Sequence, residues 1–409
     1  MSRVLKNMGW LAAPNALVKP LWFVFITYVC IRFMGLEQYG VLTAALALMS
    51  ICDGSLNLGT SVYTVREVAR QPNQSETYFS NLLVARLVLS MVAVATGLGI
   101  RWLLGTGAMD VVLFAGTYVF FRNLLEYCRA LFQSHELFHV EAASTVVEKL
   151  LVVAGGSWAL LIQPDAASGL LGMSAGMGLA FGGTLFWTTR NVAAVRFSLI
   201  SKDFYRKALP HALPLGLSSL FVLLYYRTDS IMLEVMEGQL VTGQYGLAFR
   251  ITEAMILLPY IATVVLLPRL SALFESDMSA FSRLFRRGMW GMSAAAVLAS
   301  AVVWLLSPWI IALLDGSPQA EPAVGLLRIL LLSFVLNCIN QIGTVHLTAT
   351  HQQNRLAVVL AVAAAANIVL NLILIPEWSA AGAAWATVAT QILILVGFLP
   401  ALRRPAGSV

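Results

Sequence analysis

Eleven ionisable side chains interrupt otherwise apolar runs of this 409-residue sequence: Lys19, Arg86, Lys149, Arg227, Arg250 and Arg328, against Asp53, Glu126, Glu148, Asp229 and Glu253. In hydrocarbon each would cost about 2.5–3.5 kcal/mol even on the lenient insertion scale, so each must face a partner or a polar cavity. A stranded cation is equipped to hold an anion, an attraction of about 4 kcal/mol at close range and an effective dielectric near 20. A stranded carboxylate is equipped to hold a proton or a sodium ion, which makes Asp53, Glu126 and Asp229 candidates for ion coupling. Helical spacing sorts the cations. Arg250 and Glu253, at i and i+3, pair on one face, and Glu126 lies one turn from Arg122 and near Arg129. Glu148, beside Lys149, points elsewhere on its helix. Lys19 and Arg227 have no opposite charge three or four residues away, and Asp229 faces away from Arg227; Arg86 and Arg328 are isolated in the same sense. Lys19 and Arg227 are therefore the leading anion-binding candidates, followed by Arg86, Arg250 and Arg328. The competing reading is structural, because six cations against five carboxylates leave a total of only +1 and pairing across helices could absorb most of them.

The elements that would carry these charges follow from composition. The sequence is 59% hydrophobic and only 11% charged, with a mean hydropathy of +0.81. Globular domains carry roughly a quarter charged residues, so a water-soluble fold of this size would lack the charge to cover its surface. Crossing a bilayer takes near twenty apolar residues. Twelve such runs are found, at about 10–33, 40–64, 80–104, 110–132, 143–163, 168–190, 209–233, 244–268, 287–314, 323–349, 355–376 and 379–402. The fold expected is an all-α polytopic membrane protein. The first run is too long for a signal-peptide core, and Lys19, Pro14 and Pro20 interrupt it, so it is read as a retained helix.

Six of the 26 Lys and Arg residues lie inside the spans; with both termini cytoplasmic, eighteen fall on the cytoplasmic side and only Arg32 and Arg101 on the other. That asymmetry orients the chain and explains its net charge of +6 without nucleic acid. The external loops are too short for a further domain. The basic segment 191–208 links an N-terminal lobe, 1–190, to a C-terminal lobe, 209–409.

The halves look duplicated. Gln38-Tyr39-Gly40 follows the first span and Gln244-Tyr245-Gly246 the seventh, and each second helix ends at an arginine, Arg66 or Arg269. Lys19 and Arg227 lie at similar depth in the first helix of each half. Six spans per half return the chain to the same side, so the repeats are parallel, the arrangement of transporters that bind substrate between halves and rock one against the other.

The run Met34-Gly35-Leu36-Glu37-Gln38-Tyr39-Gly40, then Asp53-Gly54, Asn57-Leu58-Gly59 and Val65-Arg66-Glu67-Val68-Ala69-Arg70, resembles the polysaccharide-export (Wzx-type) flippases of the multidrug/oligosaccharidyl-lipid/polysaccharide exporter superfamily. The second half continues the resemblance with Ala212-Leu213-Pro214, the stretch Tyr225 to Leu233, Gly243 to Arg250, Leu267 to Ser271, Asn367 to Pro376 and Gly382-Ala383-Ala384. It implies two six-helix lobes around a central cavity. It also implies an undecaprenyl-diphosphate-linked oligosaccharide, of an O-antigen or exopolysaccharide, moved by alternating access from the cytoplasmic to the periplasmic leaflet of a bacterial inner membrane. In that frame Lys19, Arg227, Arg86, Arg250 and Arg328 would receive the diphosphate. The family also implies membrane lipids and a glycan polymerase as partners. The lipid II flippases of the superfamily have two further helices for which this sequence has no room.

Two other functional classes are open. A multidrug and toxin extrusion-type cation antiporter shares the fold, although its pocket would favour carboxylates over isolated basic groups. A membrane polymerase or ligase would need a large external loop with catalytic groups, and none is present, so a non-enzymatic role is expected. No GxxxxGK[ST] loop is present for ATP, and no cofactor is expected. The glycines at 172, 176, 178, 182 and 183 lack a preceding strand; Gly172 and Gly176 form a GxxxG pair suited to close helix packing. The aromatics Trp22, Phe23, Tyr28, Tyr225, Tyr226 and Phe249 suit packing better than sugar stacking. His135 and His139 lack a third ligand, and Cys30, Cys52, Cys128 and Cys338 are read as small apolar residues, so no metal site or disulfide is expected.

Overall fold

The computed structural model describes residues 18–403 apart from Leu58, Thr106 and Gly107, and leaves the side chains of 57, 213–219 and 401–403 undescribed. Arg3, Lys6, Pro14 and Arg404, with part of the first expected span, lie outside the described residues, as does the side chain of Pro214. Every regular element among the described residues is helical. After a π-helical turn at Val24–Val29 come α1 (Cys30–Asn57), α2 (Thr60–Arg70), α3 (Ser75–Leu104), α4 (Met109–Ser134), α5 (Phe138–Ile162) and α6 (Ala166–Asn191). Then follow α7 (Lys202–Met236), α8 (Gln239–Met255), α9 (Leu257–Ser276), α10 (Met278–Leu314), α11 (Pro322–Ala349) and α12 (Gln353–Arg403).

Two of the expected boundaries between spans each fall inside one of these helices. Gly35, at φ 76° and ψ 168°, breaks α1 between the first and second expected spans, a backbone conformation that costs glycine nothing for want of a Cβ. Ser379, at φ 51° and ψ −134° and three residues after Pro376, breaks α12 between the eleventh and twelfth. With α2 continuing the second span and α8–α9 forming the eighth, the described helices cover the second to twelfth expected spans and the later part of the first. Large apolar side chains face outward along them, among them Trp102, Trp158, Ile162, Leu305 and Trp309, each more than 60% exposed. A surface of that kind is solvated by lipid.

The chain forms two compact units, Met1–Leu223 and Leu224–Val409, which meet within α7. The segment expected as a linker over 191–208 is shorter than that, because α7 begins at Lys202. The non-helical stretch is tied to α3. The Ser80 hydroxyl accepts from the Arg196 amide at 2.8 Å, and Asn81 donates to the Leu199 carbonyl at 2.8 Å while accepting from the Ser201 amide at 2.9 Å. Ala208 and Ala212 then bury against Tyr63, Phe79 and Tyr127, which places the start of α7 in the first unit.

Within the first unit, α5 and α6 pack with their backbones in near contact. A Cβ on Gly172 would lie 2.2 Å from the Gly155 carbonyl oxygen, and one on Gly176 would lie 2.3 Å from that of Leu151. Close packing is thus what the GxxxG pair provides. Gly172→Leu should destabilise the purified protein by about 2 kcal/mol or more through overpacking. Gly182→Leu, where an added Cβ meets nothing within 4 Å, should leave the melting temperature near wild type. Equal melting temperatures for the two variants would refute this account.

Candidate functional site

In the second unit, α7 and α8 carry a cluster of charged side chains: Arg227, Asp229, Arg250 and Glu253. Helical geometry puts Arg227 and Asp229 about 200° apart, so one side chain can reach solvent-accessible space while the other is buried. Asp229 is fully buried. One carboxylate oxygen accepts the Tyr245 hydroxyl, and the other accepts the Ser230 amide at 2.7 Å. The Tyr245 hydroxyl also lies 3.4 Å from Thr387 Oγ1.

On its other face, α7 presents Arg227 to Glu253 of α8. Arg227 Nη2 donates to Glu253 Oε1 at 2.8 Å, and Arg250 Nη1 donates to Oε2 at 2.6 Å. Each carboxylate oxygen holds one guanidinium, leaving the trio with a formal charge of +1. Their side chains are partly exposed, 23% for Arg227, 14% for Arg250 and 27% for Glu253, so a ligand can approach the charge. Glu253 also lines a narrow cleft of about 20 Å³, room for about one water, with Tyr226, Phe249, Thr252 and Asn337. The Asn337 amide donates to the Tyr226 hydroxyl at 2.8 Å. The trio can offer an anion two arginines already held apart by a carboxylate, while Tyr226 and Asn337 offer neutral hydrogen-bonding groups beside it.

This corrects the reading of Arg227 as isolated. Its partner lies 26 residues away on the next helix, beyond the reach of i±4 reasoning. Arg250 does pair with Glu253, as its spacing indicates, but shares it.

The first unit holds a second polar cluster of a different kind. Arg86 is 1% exposed. Its Nε donates to Thr60 Oγ1 at 2.8 Å, Nη2 to Ser61 Oγ at 2.7 Å, and Nη1 to Asn123 Oδ1 at 2.6 Å and to the Asn123 carbonyl at 3.1 Å. Its guanidinium also lies 4.8 Å from the Tyr127 ring centroid. The Asn123 amide group donates in turn to Asp53, which also accepts from Ser90 at 3.1 Å. One buried network therefore joins α1, α2, α3 and α4, with Asn123 bridging the two charges. Arg86 is neither isolated nor turned toward open space.

The other candidates are dispersed. Arg328 donates to Ser307 at 3.1 Å, and its guanidinium sits 4.4 Å from the Trp304 ring centroid, so it too has partners, on α10. Glu126 pairs with Arg122 at 3.5 Å on a half-exposed face. Glu148 takes Arg129 at 2.8 Å and Lys149 at 2.6 Å, against the expectation that it points away from Lys149. Lys19 is exposed and belongs to the first unit, whereas Arg227 belongs to the second. Among the candidates, the structure thus brings Arg227 and Arg250 together around Glu253. Asn123, Asn337 and the role of Tyr245 were missed in the sequence, and Tyr226, read there as a packing aromatic, lines the cleft. Only Tyr245 left a signal there, in the repeated Gln-Tyr-Gly.

A family model described as "Polysaccharide biosynthesis protein" matches residues 4–274, well over half of the sequence. The chain belongs to that family. A second model, MatE, matches residues 214–373, the region holding the Arg227–Glu253–Arg250 trio. No curated protein matches by sequence. Among solved structures, this polysaccharide-biosynthesis family member is similar to an inward-facing multidrug resistance MATE family transporter of the MOP superfamily, with a TM-score of 0.72 at 14% identity over 97% of this chain and 99% of the other. It is likewise similar to the lipid II flippase MurJ in an inward closed conformation, with a TM-score of 0.74 at 13% identity over 96% and 87%. A MOP superfamily transporter from Pyrococcus furiosus, whose binding pocket is described as having reverse polarity, gives a TM-score of 0.62 at 14% identity over 98% and 96%. At these identities the likeness establishes the fold.

Proposed function

We propose that this protein moves an anionic, lipid-linked oligosaccharide across a bacterial inner membrane, from the cytoplasmic to the periplasmic leaflet, with both termini cytoplasmic. The supporting observation is the net-positive trio, two arginines on one glutamate beside a cleft that also offers Tyr226 and Asn337. A phosphate at close range to such a charge gains about 4 kcal/mol at an effective dielectric near 20, which offsets much of its dehydration. A cationic drug would be repelled. Membership of a polysaccharide-biosynthesis family supports a glycan cargo, and undecaprenyl diphosphate is the carrier that fits both charge and leaflet. Two negative charges leaving a negative interior gain roughly 4–5 kcal/mol per 100 mV, so the membrane potential can drive export. In this reading the protein is a transporter and not an enzyme, working by alternating access, with O-antigen or exopolysaccharide units as cargo and a glycan polymerase as the next consumer.

A second reading, a cation antiporter, draws on the MatE match and on Asp229, a wholly buried carboxylate on α7 whose contacts are Tyr245 and Ser230. Reconstitution into vesicles separates the two. The flippase reading expects a fluorescent polyprenyl-diphosphate sugar to become accessible at the opposite leaflet, faster under an imposed potential. Uptake of organic cations with no movement of the lipid-linked sugar would reject it.

A further inference from the structure

We infer that the start of α10 is a binding site for the headgroup of an anionic phospholipid. At 100° per residue, Arg283, Arg286, Arg287 and Trp290 share one face of this helix. All four are exposed, Trp290 at 77%, and together they line an open groove of about 480 Å³. Among the described residues no acidic side chain forms an ion pair with these arginines; Arg283 Nη1 donates to Ser279 at 3.0 Å. The nearest acid in sequence, Asp277, is engaged in capping the helix, accepting from the Ser279 and Ala280 amides at 2.9 Å each.

The level of the cluster indicates the ligand. The same face continues through exposed Val297, Leu298 and Leu305 to Trp309, 64% exposed. Nineteen residues separate Trp290 from Trp309, which at 1.5 Å per residue is about 28 Å, close to the roughly 30 Å of a bilayer's hydrocarbon. Tryptophans collect at the two membrane interfaces. With Trp290 at one interface, the three arginines lie one to two turns beyond it, at the depth of lipid phosphates. A phospholipid there would lay its acyl chains along Val297, Leu298 and Leu305 and its phosphate among the arginines. The third helix of the first unit has no such feature: α3 opens at Ser75-Glu76, and Glu76 pairs with Arg196 at 2.9 Å. The start of α3 therefore lacks the cluster that the start of α10 carries. The inference rests on the chain spanning a membrane and not on the cargo.

The test uses the full chain in neutral phosphatidylcholine discs doped with phosphatidylglycerol. Arg283→Gln/Arg286→Gln/Arg287→Gln should weaken retention of phosphatidylglycerol, read by native mass spectrometry, roughly a hundredfold, each arginine contributing about fivefold. A charge-matched control, Lys202→Gln/Arg206→Gln/Lys207→Gln, should retain it as the wild type does. Equal loss in both variants would mean diffuse charge attraction and would overturn the site. Excess inorganic phosphate should leave retention unchanged; displacement by phosphate alone would make the ligand a free anion and also overturn it. If the triple variant fails to fold, a photoreactive phosphatidylglycerol on the wild type decides: crosslinks at 283–290 support the site, and crosslinks confined elsewhere reject it.

Discussion

Arg227→Gln and Arg250→Gln should each slow movement of a diphosphate-linked lipid in vesicles by roughly tenfold to a hundredfold, and the double variant should stop it. The magnitude is that of one charge-assisted hydrogen bond, about 1.5–3 kcal/mol. The direction comes from counting charge at Glu253, whose two oxygens each hold one arginine. Removing one guanidinium takes the trio from +1 to neutral, and removing both leaves a bare carboxylate that repels a diphosphate. Glu253→Gln does the reverse, raising the local charge to +2, and should tighten binding of an anionic probe. A cation antiporter predicts the opposite signs throughout: Glu253→Gln would abolish cation binding and the arginine variants would enhance it. The comparison needs protein that inserts and stays monodisperse, since unpairing partly buried charges also loosens α7 from α8. A double arginine variant that is folded and moves the lipid at wild-type rate would remove these residues from the mechanism.

Much of the fold was legible because the bilayer imposes a coarse rule. A helix must present near twenty apolar residues, and twelve runs of that kind can be counted without knowing any contact. The two breaks were legible for local reasons: Gly35 can take a positive φ, and Pro376 stands just before the irregular Ser379. The site was less legible because charge pairing in a helical membrane protein is mostly between helices. Spacing rules reach i±4, so they found Arg250–Glu253 but not Arg227–Glu253, separated by 26 residues. They marked Arg86 and Arg328 as unpartnered because their partners are neutral: Thr60, Ser61 and Asn123 for one, Ser307 and the Trp304 ring for the other. A search for opposite charge cannot find an asparagine.

The two polar clusters also differ in what they leave open. In the first unit, Asn123 connects Asp53 to Arg86, and Arg86 is 1% exposed. In the second, the arginines are partly exposed beside a cleft, and the buried carboxylate Asp229 lies on the opposite side of α7 from Arg227. Burial, and not charge, separates a group that holds helices together from one that can meet a ligand.

The Arg86 cluster gives the largest expected stability effect. Arg86→Met keeps much of the side-chain volume but removes every hydrogen bond the guanidinium makes to Thr60, Ser61 and Asn123. It also removes one of the two cations, the other being Arg122, whose charge reaches the buried Asp53. Stranding a buried hydrogen-bonding group costs about 1–3 kcal/mol, and several are stranded here; in a cooperative unit of this size each kcal/mol lowers the melting temperature by about 2–4 °C. A fall of about 10 °C or more is therefore expected. Arg86→Lys should recover little of it, because a single ammonium cannot reproduce the planar fork that reaches α2 and α4 together. Asp53→Asn in the Arg86→Met background should restore part of the loss, since it removes a buried charge that has lost one of its two cations; a coupling of 0.5–3 kcal/mol is typical of residues in one network. Transport per folded molecule should stay near wild type in these variants, because Arg86 is closed off from any cargo. A stable Arg86→Met protein that has lost transport would return Arg86 to the anion-binding role its sequence position suggests and would undo the division between the two clusters.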